Sequence, residues 1–249
     1  MQATVYGLAG SHPVKAVMAM LERKGIEARR RDLVNVVDRP LLRAMGFPGR
    51  TVPALRIDGR KVQTSRAISR ALDELVPEPP LFPADPDRRA AVEDAERWGD
   101  EVLQPVPRRL AWAAFKRDRS GLRSFLEGPV MGIPPAVAAA TAAPLIHASA
   151  RIHGADDDAV AADLISLPAL VDQVDDLIAN GVIGGAEPNA ADFQILASVR
   201  LLLCFEDLRP LLEARPAAER ARALYPHFPG RVPAVFPPEL VPAAAPAGA

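Results

Sequence analysis

The sequence predicts a small mixed α/β domain followed by a larger all-helical one, and three stretches carry that prediction. Residues 51–68, TVPALRIDGRKVQTSRAI, read as strand, tight turn, strand and helix start. Pro77, Pro79, Pro80, Pro83 and Pro86 then crowd one short segment, which suits a linker between domains. From there to about residue 225 no alternation of period two is found, and residues 184–204, GGAEPNAADFQILASVRLLLC, carry a strongly capped helix signal. The predicted division is 1–77 for the first domain, 78–85 for the linker, 86–232 for the helical domain and 233–249 for a tail.

In the first domain, Thr4–Leu8 is a short β-prone run broken by Gly10-Ser11-His12-Pro13. Pro13 suits the first turn of a helix, because its missing N–H is not needed there. Val14, Val17, Met18 and Leu21 recur at helical spacing and Gly25 stands where a C-cap would. Ile26–Val34 reads as a second strand and Pro40–Met45 as a short helix ended by Phe47-Pro48-Gly49. Asp58-Gly59 between Ala54–Ile57 and Arg60–Gln63 is a hairpin signal, since a two-residue hairpin turn demands positive φ. Pro53 at the mouth of its strand cannot donate to the ladder, which places it at an edge or a special turn. Ser65 is expected to cap the following helix, marked by Ile68, Ala71, Leu72 and Leu75. The order β-α-β-α-β-β-α fits a small mixed sheet with helices on its faces.

In the second domain, Asp85-Pro86 opens a helix with Val92, Ala95, Gly99 and Val102 along one side. Arg119–Gly121 reads as a turn, Ala136–Ala150 as a helix kinked or split by Pro144, and Leu167–Ile178 as a helix ended by Asn180-Gly181. The helix over 189–204 has Asn189 as cap and Asp192 three residues on, the spacing of a capping box, with Pro188 and Phe193 placed as a hydrophobic staple. From Phe193 to Cys204 nearly every residue is apolar, so this helix is expected to be buried on most sides. Pro233–Ala249, mostly Pro and Ala, is expected to be mobile.

Composition excludes several function classes. Thirty Lys and Arg against 31 Asp and Glu give a net charge of −1, so no global field favours nucleic acid or an anionic membrane. One cysteine, Cys204, excludes an internal disulfide and a CxxC redox pair, and its place among leucines predicts burial. His12, His147, His153 and His227 form no HExxH and no close Cys/His cluster. The N-terminal residues carry no basic-then-apolar leader pattern, and the prolines of 129–149 argue against a membrane helix, so the expected location is the cytoplasm.

Three separated strings add a family resemblance. VYGLAGSHPVKAV, then TVPAL with QTSRAI, then PNAADF, stand in order across most of residues 1–204. Together they resemble the glutathione S-transferase superfamily, and the bacterial serine-type members in particular. The resemblance implies an α/β thioredoxin-like N-terminal domain followed by an all-α C-terminal domain. It implies an enzyme that adds glutathione, or a related low-molecular-weight thiol, to an electrophilic small molecule, as in detoxification. It also implies a homodimer, with no nucleic acid or membrane as partner. By the same resemblance Ser11 stands beside the sulfur and donates a hydrogen bond to the thiolate, with Tyr6 as its rival for that role. Pro53 is the cis-proline that offers the backbone of Val52 to the thiol peptide. Ser65, at a helix N-terminus, receives the γ-glutamyl carboxylate. Thr64 stands where family members usually carry an acid or glutamine, with Gln63 one step earlier. Arg50 is placed to hold a ligand carboxylate and His12 to sense the sulfur. The alternative reading is a non-catalytic ligand- or partner-binding protein on the same fold.

Overall fold

Strand β1 (Ala3–Tyr6) is the centre around which the first third of the chain is built. The computed structural model describes residues 1–33, 38–49 and 51–243. Helix α1 (His12–Arg23) follows β1 and buries Val14, Val17 and Leu21 of the expected stripe, while its fourth member, Met18, is half-buried. It ends in a Schellman motif: the Gly25 amide donates to the Glu22 carbonyl and the Ile26 amide to the Leu21 carbonyl, both at 2.9 Å. Ile26 is therefore spent on closing the helix, and strand β2 runs only Ala28–Arg31, shorter than the expected Ile26–Val34; Val34 lies outside the described residues. Helix α2 (Asp38–Ala44) precedes β3 (Ala54–Ile57) and β4 (Arg60–Gln63). The hairpin turn has Asp58 at φ 44° and Gly59 at φ 87°, as its two-residue length requires. The sheet order is β2-β1-β3-β4, with β1 parallel to β2 and both remaining pairs antiparallel.

Helix α3 (Ser65–Leu75) starts one residue differently from expectation. Thr64, not Ser65, is the N-cap: its Oγ1 accepts from the Ala67 amide at 3.2 Å. Ser65 is thereby carried inside the first turn, where its hydroxyl is buried.

Beyond Leu75 the regular elements of the described residues are helical, with two isolated β-bridges among them, Val130 to Ile133 and Phe205 to Val232. The proline-rich stretch packs rather than dangles. Lys24 Nζ donates to the carbonyls of Val76 and Pro79 and to Asp73, while Leu81 and Phe82 are buried. Helix α4 (Pro86–Trp98) is capped by Asp85 and runs through a π-helical turn (Gly99–Leu103) into α5 (Pro105–Arg117). A Cβ on Gly99 would lie 2.7 Å from Ile195, which explains a residue without a side chain there. The expected turn at Arg119 is a longer 3-10 segment, Arg119–Phe125. The predicted Ala136–Ala150 helix is two, α6 (Pro135–Ala140) and α7 (Ala143–Ile152), with Pro144 in the first turn of the second. Leu167–Ile178 is only the second half of α8 (Asp157–Ala179), which Asp156 caps and which carries Pro168 inside it.

Helix α9 (Ala190–Leu202) has the full capping box, and of its residues only Arg200 is not buried. It packs on α1, α4 and α11 (Pro216–Leu224); the short α10 (Arg209–Leu212) lies between α9 and α11 in the chain. The tail departs from expectation in the part that is described, which runs to Ala243. Phe236 is buried and stacks on Phe205, with ring centroids 6.2 Å apart, and the amides of Val235 and Phe236 donate to Asp207. Residues 244–249 lie outside the described residues.

Candidate functional site

A cavity of about 160 Å³ lies where the sheet region meets the helices. Its first wall comes from the turn after β1. The Ser11 amide donates to the Leu8 carbonyl at 3.1 Å, and Ser11 is the N-cap of α1. Its hydroxyl makes no capping hydrogen bond, so the polar group lining the cavity is not consumed by the helix. Phe125 presses on this turn: a Cβ on Gly10 would lie 2.9 Å from it. Phe125, Phe115, Trp112 and Ala111 form an apolar part of the lining, delivered by α5 and the 3-10 segment.

Val52 lines the same cavity, and the Val52–Pro53 peptide is cis. Gln63 braces the approach to it. Its Nε2 donates to the Thr51 carbonyl at 2.9 Å, and its Oε1 accepts from the Gly49 amide. The Thr64 amide donates to the Pro53 carbonyl at 3.2 Å, so the N-terminus of α3 sits beside the cis-proline. There the Ser65 hydroxyl is buried with no partner among the described residues. Thr64 holds φ at 70°, a left-handed value costly for a β-branched residue. Pro53, Thr64 and Ser65 adjoin the cavity wall through these bonds without lining the cavity itself. Arg50 lies outside the described residues.

Tyr6 is not brought to the cavity. It is buried against Phe47, edge to face at 5.5 Å, in a small apolar cluster with Leu33, Leu42 and Ala54. What it lines is a larger open groove of about 1200 Å³ along β2, whose lining does not include Ser11. His12 is buried rather than exposed at the helix start, and its Nε2 has no partner among the described residues. Burial pushes its pKa down to about 3, the Arg108 charge adds to this, and a hydrogen bond with the Gln104 backbone acts the other way. His153, which stacks on Trp112 at 6.4 Å, is lowered to about 4 by burial and then by Arg108, Arg39 and Arg109. Both imidazoles are therefore neutral at physiological pH. Cys204 is buried, and burial pushes its thiol up to about 11.

Arg108, Trp112, Phe115 and His153 line the cavity without having been singled out in the sequence. One signal was present. In PVPRRLAWAAF, positions 108, 111, 112 and 115 share one helical face, and that face carries a single arginine among apolar residues. The cavity is covered from 122–126, and the next residue fastens that cover. Glu127 accepts from Lys15 of α1 at 2.6 Å and from Arg30 of β2 at 2.7 Å. Among the described residues no group of His, Cys, Asp or Glu is placed to hold a metal ion, and no helix is long and apolar enough to cross a membrane.

Residues 5–80 match the family model described as glutathione S-transferase, N-terminal domain. No curated protein sequence matches the chain. Among solved structures, a glutathione S-transferase from Sinorhizobium meliloti is similar at a TM-score of 0.63 and 17% identity, over 92% of this chain and 90% of that one. The beta-etherase LigF from a Sphingobium strain is similar at 0.58 and 19% identity, over 82% of this chain and 84% of that one. A theta class glutathione S-transferase from Xanthomonas axonopodis pv. citri, solved with glutathione bound, is similar at 0.57 and 19% identity, over 90% of each chain.

Proposed function

We propose that this chain, whose residues 5–80 match the glutathione S-transferase N-terminal domain and whose fold is similar to that of solved glutathione S-transferases, adds a low-molecular-weight thiol to an apolar electrophile in the cavity beside Ser11. The observation that carries the reading is Ser11, the N-cap of α1 whose hydroxyl makes no capping hydrogen bond, on the lining of a cavity it shares with an apolar wall. The thiol is glutathione or a close relative. Its peptide backbone pairs with Val52, as an added strand would. Its γ-glutamyl carboxylate meets the first turn of α3, where free amides, the positive helix end and the unpartnered Ser65 hydroxyl favour an anion. Ser11 donates a hydrogen bond to the sulfur and, with the α1 dipole, lowers the thiol pKa. His12, buried and neutral, takes no proton.

The chemistry then balances simply. The thiol loses its proton to solvent water, and the thiolate pair forms the C–S bond. In a substitution the leaving group departs with its bonding pair; in an addition a proton returns to the neighbouring carbon. The protein's contribution is alignment and a larger thiolate population. A homodimeric, cytoplasmic enzyme is part of the same reading.

The test is conjugation of glutathione to 1-chloro-2,4-dinitrobenzene. Ser11→Ala should lower kcat/KM by about 10- to 100-fold, with thermal stabilisation by glutathione largely kept. Activity unchanged in Ser11→Ala would remove the assignment. Thr64 favours a second reading, ligand binding without turnover, because a short neutral side chain stands at the head of α3. Stabilisation by thiols together with no conjugation of any electrophile would select it.

A further inference from the structure

We infer that the electrophile carries a carboxylate, and that Arg108 receives it at the wall of the cavity. The inference rests on the reading of that cavity as the electrophile's site.

Arg108 and Arg109 are consecutive on α5 and meet opposite fates. Arg109 makes a two-pronged ion pair with Asp163, at 2.5 and 3.0 Å. Arg108 is half-buried on the cavity lining, and among the described residues it has neither a hydrogen bond nor an ion pair. Asp100 reaches it only through space, and Asp100 itself feels Arg66 more strongly than Arg108. The one carboxylate on the described lining, Asp38, accepts the backbone amide of Arg39 at 2.8 Å. The two histidines of the lining are neutral and supply no counter-charge. A desolvated guanidinium without an anion is costly, and a ligand carboxylate would offset that cost. Its planar fork matches a carboxylate with two parallel N–H···O bonds.

The surroundings define the rest of the ligand. Trp112, Phe115, Phe125 and Ile152 offer an apolar slot beside the cation. A cavity of this kind, apolar with few convergent polar groups, orients a ligand by its one charged end. The substrate class is therefore a compact, apolar, usually aromatic electrophile with a single carboxylate. Arg108 acts as a specificity-determining residue.

The test needs no turnover. Cinnamate and its neutral isostere cinnamamide are titrated calorimetrically into the whole protein and into Arg108→Met and Arg108→Lys. We expect cinnamate to bind the unmodified protein about tenfold or more tightly than cinnamamide. Arg108→Met should abolish that preference while keeping cinnamamide affinity within about twofold, which also shows that the cavity has folded. Arg108→Lys should keep part of the preference. Equal affinity for the two probes in the unmodified protein, or a preference surviving in Arg108→Met, overturns the inference. So does a tenfold weakening of cinnamate by saturating glutathione, which would assign Arg108 to the thiol. Loss of activity in Ser11→Ala or its persistence leaves this binding result untouched, so the two proposals fail separately.

Discussion

The buried neutral imidazole of His12 makes stability depend on pH in a way that can be calculated. Its pKa falls from an ordinary 6.5 to about 3 in the folded chain, chiefly through burial. The folded value is depressed and the group is a base. Its contribution is therefore complete above pH 6.5 and is lost as pH drops from there towards 3, because the unfolded chain binds a proton that the folded chain refuses. Between about pH 7 and pH 5 the loss comes to about 2 kcal/mol. For a chain of this length that is a fall in melting temperature of roughly 4–8 °C. His12→Asn keeps a donor near the Nδ1 position for the Gln104 backbone and removes the titration. The variant is expected to be less stable at every pH, but the drop between pH 7 and pH 5 should shrink by about 2 kcal/mol, read from urea unfolding at the two pH values. Equal pH-dependent losses in variant and parent would refute the burial argument, whatever the variant's absolute stability.

Three other outcomes follow from buried polar contacts. Glu96, fully buried, is held by Ser69 at 2.7 Å and Arg70 at 2.5 Å, and burial raises its pKa against their pull. Arg70→Met should cost about 3 kcal/mol in a thermal melt, and adding Glu96→Leu should recover most of it. Asp192→Ala strips the acceptor from the amides of Gly184 and Asn189, at 2.6 and 2.9 Å, and is expected to cost about 2–4 kcal/mol, more than Asn189→Ala. Cys204, with its thiol at about 11, should resist alkylation by iodoacetamide in the native protein and react fully in urea.

What the sequence reveals about this chain is what is written locally. The Asp58-Gly59 turn, the Gly25 stop and the Asn189–Asp192 box each depend on residues a few positions apart, and each is found in the structure. The family strings added the order of domains. Features joined over long distances were not legible. Nothing in Arg108-Arg109 says which of the two will meet Asp163, a residue 54 positions on. The docking of Phe236 onto Phe205 could not be seen in a stretch of Pro and Ala. The burial of His12, with Gln104 and Arg108 acting on it, joins positions far apart in the chain. Ser65 was displaced from the cap because Thr64, beside it, adopts the positive φ that lets its own hydroxyl reach Ala67.

The envelopment of α9 has a consequence for how the chain is held together. α1 from the sheet region packs on this helix more extensively than on any other element. The surface that α1 would expose without it is apolar, so severing the chain near residue 80 would leave two fragments, each with an unclosed oily face. The halves are therefore expected to melt as one cooperative body, with a ligand held by either half stabilising both.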